Sequence, residues 1–219
     1  MSDPLGLFVS VPVASFRVAQ AREYLATYPV PPPATVYGML LSAIGEADRQ
    51  ACTGAEIAVG LVDGAPAPSK GVSRVLRTLW HVKSTSLGPG QGNNRRPDFQ
   101  ELLTGLHLKV WVRAGEHEQG GPTLREKLGQ ALESPWRVHR FGGLSLGESS
   151  HLVDELRPWR VGDGEQGQLL VQDLKGTLAL PIWPDHVGSA GTRWGQYALE
   201  GGALSTYPRK EAWTPILPP

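Results

Sequence analysis

The sequence has little that would mark a secreted, membrane-spanning or zinc-dependent protein. It contains one cysteine, Cys52, in 219 residues, which excludes an internal disulfide and a cysteine-rich zinc site. No apolar run approaches the roughly 18 residues that a membrane-spanning helix needs. No basic stretch precedes the first apolar run, as it would in an export signal. We therefore expect a soluble chain that stays in the reducing cytoplasm.

Net charge is also lacking. Lys and Arg together number 21, as do Asp and Glu, and this neutrality argues against a protein that coats nucleic acid indiscriminately. The charge is distributed unevenly, however, because residues 70–113 hold eight basic residues against two acidic ones. The neutral total is therefore compatible with a local basic surface for nucleic acid.

Metal and nucleotide chemistry find little support in the sequence. The six histidines are scattered without metal-ligand spacing, so neither a metal nor another cofactor is expected. A glycine-rich segment over 142–149 lacks the lysine of a P-loop, which argues against nucleotide hydrolysis. Its glycines, Gly142, Gly143 and Gly147, with Ser149 beside them, would let an RNA backbone approach main-chain N–H groups. A plain glycine-rich turn is the alternative interpretation.

Hydrophobic periodicity predicts an α+β fold. The pattern indicates strands over 5–13, 57–62, 72–83, 106–113 and 151–156, and helices over 35–46 and 122–134. This order is typical of a ferredoxin-like domain of the RNA-recognition type, here with a projecting β-hairpin inserted at about 83–106. We expect that domain to span 1–156. Residues 157–219 hold short apolar pieces separated by Gly and Pro, which predict a small antiparallel β region.

Residues 14–46 combine aromatic rings with positive charge. Tyr28 and Tyr37 would offer flat faces to unpaired bases, while Arg17 and Arg22 would contact phosphates. Three prolines at 31–33 lead into the helix, which Thr35 or a neighbour would cap. A glycine inside this helix, at position 38, indicates either tight packing or the close approach of a ligand.

The basic stretch supplies further candidates of the same kind. Its phosphate-binding candidates are Arg74, Arg77, Lys83, Arg95 and Arg96; its stacking candidates are Trp80 and Phe99; and Asn93 and Asn94 stand beside them. The competing interpretation is that the arginines form a solvated face and the aromatics belong to the core. We expect about half of the named residues to follow that interpretation.

Three blocks carry a resemblance to a known family: ASFRVAQAREYLATYPVPPPATVYGMLLSAIGE at 14–46, NNRRPDFQELL at 93–103 and FGGLSLGESSHL at 141–152. The first resembles the amino-terminal signature of the CRISPR-associated Cas five family, the RAMP-type subunit that caps the 5′ end of the guide RNA in type I Cascade complexes. The third is similar to the glycine-rich loop of its subtype I-B-like members. The blocks stand in the family's order.

This resemblance implies a non-catalytic scaffold, since the family grips the 5′ handle of the guide RNA (crRNA) in antiviral ribonucleoprotein complexes. The implied partners are that RNA, a backbone subunit of the Cas seven family and a large subunit of the Cas eight family. Target DNA would be met only through the assembled complex, and no membrane is involved. The projecting hairpin would wedge beside the RNA and contact the backbone subunit.

Two other functions remain open. In one branch of the family the protein itself cuts precursor RNA without metal, and here His81, Lys83 and Tyr28 or Tyr37 are the candidate catalytic residues. The adjacent lysine and histidine of that branch are not matched in order or spacing. The third possibility is a free-standing RNA-recognition module.

Tryptophan is abundant, with seven residues in the chain. Four of them, Trp159, Trp183, Trp194 and Trp213, fall in the carboxy-terminal part, where a small core could hardly bury them all. As a set they predict docking to a large neighbouring subunit.

Overall fold

An antiparallel sheet organises the part of the chain that the computed structural model describes. This part comprises residues 3–18, 24–63, 71–80, 86–88, 91–185, 190–204 and 207–219; for 78–80, 93, 95 and 96 only the backbone is described. The elements are β1 (Leu5–Ala14), α1 (Pro33–Ala43), β2 (Glu56–Val62), β3 (Gly71–Trp80), β4 (Arg95–Arg113), α2 (Leu124–Glu133), β5 (Glu155–Pro158), β6 (Gln166–Gln172), β7 (Leu178–Trp183), β8 (Arg193–Ala203) and β9 (Thr214–Pro215).

The strands form one sheet in the order β5-β1-β4-β2-β6-β8-β7, and all neighbouring pairs are antiparallel. β3 pairs with the outer part of β4, and the short β9 pairs with β2. The predicted α+β class is thus observed as a mostly antiparallel sheet with two α-helices. The carboxy-terminal strands β6–β8 continue the same sheet through β2, and the division of the chain into two domains stays a prediction.

β4 is the longest strand and belongs to two parts of the molecule. Its second half, from Leu106, lies between β1 and β2, as the alternation over 106–113 predicts. Its first half pairs with β3 from Gly71↔Thr104 to Trp80↔Arg95 and forms the projecting hairpin. Gly105, with a φ of 62°, lies where the two halves meet. The hairpin strands therefore begin at Gly71, before the range of 83–106 that the sequence indicated.

The two faces of the central sheet are both covered. Leu108, Val110 and Val112 of β4 face the main core, to which both helices contribute. The intervening Trp111 belongs to a second cluster on the other face, with Leu204 and Trp213. The period-two alternation of β4 thus separates two cores.

The helix starts differ from those predicted. α1 begins at Pro33, and because proline fits the first helical turn no side-chain cap is needed. Thr35 therefore lies inside the helix and does not cap it. α2 begins at Leu124 behind a capping box, in which Thr123 and Glu126 exchange side-chain and backbone hydrogen bonds. No helix in the described ranges is long and apolar enough to span a bilayer.

Most of the four carboxy-terminal tryptophans pack against other residues of the protein. Trp183 and Trp213 are buried in the two cores, which corrects the expectation that all four are available to a partner. Trp159 is half-buried, with its ring 4.1 Å from the Lys109 Nζ atom. Trp194 alone of the four is classed among exposed residues, at 40%.

Candidate nucleic-acid interface

The base of the hairpin is where distant segments of the chain meet. Residues 24–27 lie along β4, because the Leu25 N–H donates to the Phe99 carbonyl and the Glu101 N–H donates to the Leu25 carbonyl, each over 2.9 Å. The Thr27 hydroxyl accepts from the Phe16 N–H over 2.8 Å, which ties the end of β1 to the same edge. The amino-terminal block and the 93–103 block thus form one extended surface.

The glycine-rich loop closes against the amino-terminal block. Gly147 has a φ of 95°, and a Cβ atom on it would lie 2.6 Å from the Ser15 carbonyl oxygen. The Ser15 N–H in turn donates to His151 Nδ1 over 3.1 Å. Burial lowers the pKa of His151, and because Nδ1 accepts this hydrogen bond the ring proton belongs on Nε2. At position 147, only glycine combines a positive φ with so close a contact to a backbone oxygen.

A polar network fastens the loop to the hairpin. The Glu148 carboxylate accepts from the Gln100 amide over 2.6 Å and from the Arg77 guanidinium over 3.1 Å. Arg77 also donates to the Gln100 side-chain oxygen over 2.5 Å. Gln100 is 1% exposed, so its amide is shielded from water, whereas the Arg77 and Glu148 side chains remain 42% and 35% exposed. All three blocks named in the sequence are therefore joined at one place.

The opposite face of the hairpin is open. Val72, Leu76 and Phe99 are exposed there at 63%, 64% and 54% and form an apolar stripe. Arg74 lies among them, paired with Glu101 over 3.0 Å and positioned 5.6 Å from the Tyr24 ring centre. Its side chain remains 66% exposed, so the guanidinium is still accessible to a phosphate. Arg17 is exposed beside this edge.

Three predicted site residues are buried, which corrects their assignment. The Tyr28 and Tyr37 rings are 8% and 4% exposed, and neither offers a face to a base. The Tyr37 hydroxyl donates to the Arg49 carbonyl, and its ring packs at a tilt against Trp183. Asn94 is fully buried and donates to the carbonyls of residues 87 and 88, so it shapes the loop. Phe99 keeps the exposure that stacking requires.

Other predicted residues lie at or beyond the limits of the described structure. Arg22, His81 and Lys83 fall outside the described residues. Trp80, Asn93, Arg95 and Arg96 are described by backbone alone, with Trp80 paired to Arg95 at the outer end of the hairpin. Their assignments stay predictions.

The catalytic alternative gains no support from Tyr28. Burial raises the pKa of its hydroxyl above the usual value, whereas a tyrosine that must lose a proton needs the opposite shift. Burial likewise raises the pKa of Tyr37, the other tyrosine of this alternative, and His81 and Lys83 are not among the described residues. No cluster of three or more potential metal ligands occurs within the described ranges.

The remaining glycine-loop and helix residues are accessible. Gly142 has a φ of 79° with open space around it, and Ser149 is exposed. A Cβ on Gly143 would meet the flexible Leu152 side chain at 2.9 Å. Thr35 lines a groove of about 490 Å³ between α1, the glycine-rich loop and β7. Gly38 also faces this groove with no atom near its Cβ position, so close packing does not explain that glycine.

Sequence reasoning missed the residues that hold the interface together. Gln100 and Glu148 carry no charge pattern or motif that marks them, and Glu101 appeared only as an acid in a basic stretch. The available signal was the presence of isolated acids beside several arginines, which is typical of ion pairing. Their partners are far apart in sequence, so the pairing itself could not be read there.

Comparison with known proteins identifies the family of this chain. Residues 5–202 match the family model described as CRISPR-associated protein (Cas_Cas5). The chain is 40% identical over 197 residues to CRISPR-associated protein Cas5 of Myxococcus xanthus (strain DK1622), covering 90% of each chain. Its fold is similar to a chain of a CRISPR RNA-guided surveillance complex, with a TM-score of 0.62, 14% identity and 96% of each chain covered. The protein therefore belongs to the CRISPR-associated Cas5 (Cas five) family.

Proposed function

We propose that this protein is a non-catalytic RNA-binding scaffold of a type I, I-B-like Cascade complex, and that it caps the 5′ handle of crRNA. The observation that carries the proposal is the joining of three distant blocks at the base of the hairpin, through Leu25, Gln100 and Glu148. This joining makes the three blocks one continuous surface, which a single RNA strand could contact. Family membership and the likeness to a surveillance-complex chain support the same proposal.

The surface has the chemistry that single-stranded RNA needs. Arg17 and Arg74 are exposed cations, and Phe99 offers an accessible ring between them and the hairpin end. The open glycine at 142 leaves main-chain groups accessible to a phosphate. Recognition in this account depends on shape, charge and stacking, and requires no bond to be broken.

The fold supports the proposal at the level of topology. The order β5-β1-β4-β2, with α1 between β1 and β2 and α2 between β4 and β5, corresponds to the ferredoxin-like arrangement of RAMP proteins. In this interpretation β3 and the outer half of β4 are the inserted hairpin.

Val72 and Leu76 of the apolar stripe are the proposed contact for another subunit, whereas Phe99 is assigned to the RNA. Both side chains are exposed, at 63% and 64%, and burial against a protein would remove them from water. We assign this contact to a Cas seven family backbone subunit. The Cas eight family large subunit would occupy another face of this cytoplasmic complex, which reaches target DNA.

The test is the salt dependence of RNA binding. Replacing Arg95 and Arg96 together with alanine should weaken binding of a labelled CRISPR repeat RNA. The slope of log K against log salt should fall in magnitude by about 1.4, because each lost phosphate contact on a single strand contributes about 0.7. The matched control replaces Arg160 and Arg209, which are exposed elsewhere on the surface. Equal slopes for the two double variants would contradict the assignment of the hairpin to RNA.

A further inference from the structure

Two of the most exposed aromatic rings in the described chain stand close together in sequence, just before the glycine-rich loop. Trp136 is 75% exposed and Phe141 is fully exposed. Core packing therefore does not account for either ring. Both belong to residues 135–141, which we name the basic aromatic segment.

The segment is fixed at its middle and displays its side chains outward. A 3₁₀ turn, Pro135–Arg137, follows directly from the end of α2 and is closed by the Val138 N–H donating to the Pro135 carbonyl. The His139 carbonyl presses against the end of α1, where a Cβ on Gly45 would lie only 2.4 Å from it. Contacts through backbone and Val138 thus hold the segment in place while Trp136, Arg137, Arg140 and Phe141 remain exposed.

The segment itself is basic, and the acidic residues that the fold brings near it, Glu46 and Glu133, line a hollow on the side of Arg137. No acidic residue occurs from 135 to 147, while Arg137 and Arg140 alternate with the two aromatics. Within the described ranges neither guanidinium forms an ion pair with a carboxylate. Rings interleaved with unpaired cations place a stacking face and a phosphate partner side by side, which is typical of single-stranded nucleic-acid contacts.

We propose that the basic aromatic segment is a second contact for single-stranded RNA, in which Trp136 and Phe141 stack on unpaired bases and Arg137 and Arg140 bind the adjoining phosphates. The segment continues directly into Gly142 and Gly143, so the RNA path passes from the glycine-rich loop onto it. This inference rests on the proposed function and extends it to a site that the hairpin does not include.

The first test compares variants by fluorescence anisotropy with a labelled CRISPR repeat RNA. Replacing Trp136 and Phe141 together with alanine should weaken binding at least about 5-fold for each base that loses its stacking partner. Replacing Arg137 and Arg140 should lower the salt slope by about 1.4. The matched controls are a Leu174→Ala/Tyr207→Ala pair, exposed at 98% and 61%, and the Arg160/Arg209 pair; both should bind normally.

A second measurement uses the unmodified protein and so does not depend on the folding of any variant. RNA carrying 5-iodouridine is irradiated in the complex, and the cross-linked peptide is identified by mass spectrometry. We expect cross-links to Trp136 or Phe141. Cross-links confined to other segments, together with unchanged affinity of the Trp136/Phe141 variant, would overturn the inference while leaving the hairpin proposal intact.

Two further outcomes are distinguishable. Unchanged RNA affinity with lost capture of a co-expressed subunit would make the segment a protein-docking surface and overturn the inference. Absence of any RNA binding by the unmodified chain would overturn both this inference and the proposed function.

Discussion

Gly147 allows the packing of the glycine-rich loop to be measured directly. Gly147 and Gly142 share positive φ values of 95° and 79°, but only Gly147 has a close neighbour. A Cβ at 147 would lie 2.6 Å from the Ser15 carbonyl oxygen, whereas one at 142 would meet no atom within 4 Å. The two glycine-to-alanine variants therefore separate the cost of the backbone conformation from the cost of the contact.

The expected magnitudes differ accordingly. Gly142→Ala should lower the free energy of unfolding by about 1–2 kcal/mol, the cost of a left-handed conformation for an L-residue. Gly147→Ala carries the same cost and adds a collision with a backbone oxygen, which overpacking data place at about 1–3 kcal/mol. We therefore expect Gly147→Ala to be the more destabilising variant by at least about 1 kcal/mol.

Urea unfolding followed by circular dichroism measures both variants under identical conditions. The m-values should agree with that of the unmodified protein, since the surface exposed on unfolding hardly changes. Equal destabilisation by the two substitutions would show that the loop does not pack against Ser15, and it would remove one of the contacts that fasten the glycine-rich loop to the other two blocks.

Two further predictions concern other parts of the chain. Burial lowers the pKa of Lys109 to about 8, so the unfolded chain binds the extra proton between pH 8 and the usual value of 10.5. The free energy of unfolding should therefore rise with pH across that window by up to about 3 kcal/mol, measured relative to a Lys109→Met variant that shares all other titrating groups. A difference in urea midpoints between the two proteins that stays flat or falls as the pH rises would refute this. Thr123→Ala should cost about 1 kcal/mol in thermal unfolding because it removes the capping box with Glu126; no loss would mean that the cap is not formed in solution.

The central strands could be predicted because their patterns are local. Leu106 to Arg113 alternate apolar and other residues, and the two faces of β4 carry this alternation into two separate cores. The first half of β4 was missed as a strand because residues 95–105 include Pro97 and Gly105 and lie on a projecting hairpin. Residues 72–77 of the partner strand are all exposed, so neither face of the hairpin requires the apolar alternation of a half-buried strand.

The burial of Tyr28 and Tyr37 could not be read from their neighbours. Tyr28 stands six positions from Arg22, and the block that holds both tyrosines also holds Arg17, so the local charge predicts exposure. The fold turns the rings inward, and Tyr37 meets Trp183, which lies 146 positions away in the chain. Side-chain direction at such positions depends on distant elements that the local pattern does not specify.

The candidate site was predicted as three separate blocks, and its assembly was not. Leu25 reaches β4 only because β1 and β4 are paired in a register that brings residue 14 opposite residue 103. Glu148 finds Gln100 and Arg77 only when the loop closes against Ser15. Long-range register of this kind follows from the whole sheet and leaves no signature in any one segment.

The most direct test of the account is to incubate the purified protein with a labelled CRISPR repeat RNA in EDTA and to follow binding and cleavage on the same gel. The scaffold account predicts a retarded band of intact RNA that competitor RNA of unrelated sequence does not displace. Specific cleavage leaving a short 5′ fragment, abolished by His81→Ala, would contradict the non-catalytic role and make the endoribonuclease the correct function. Binding that any RNA competes away equally would contradict recognition of the handle.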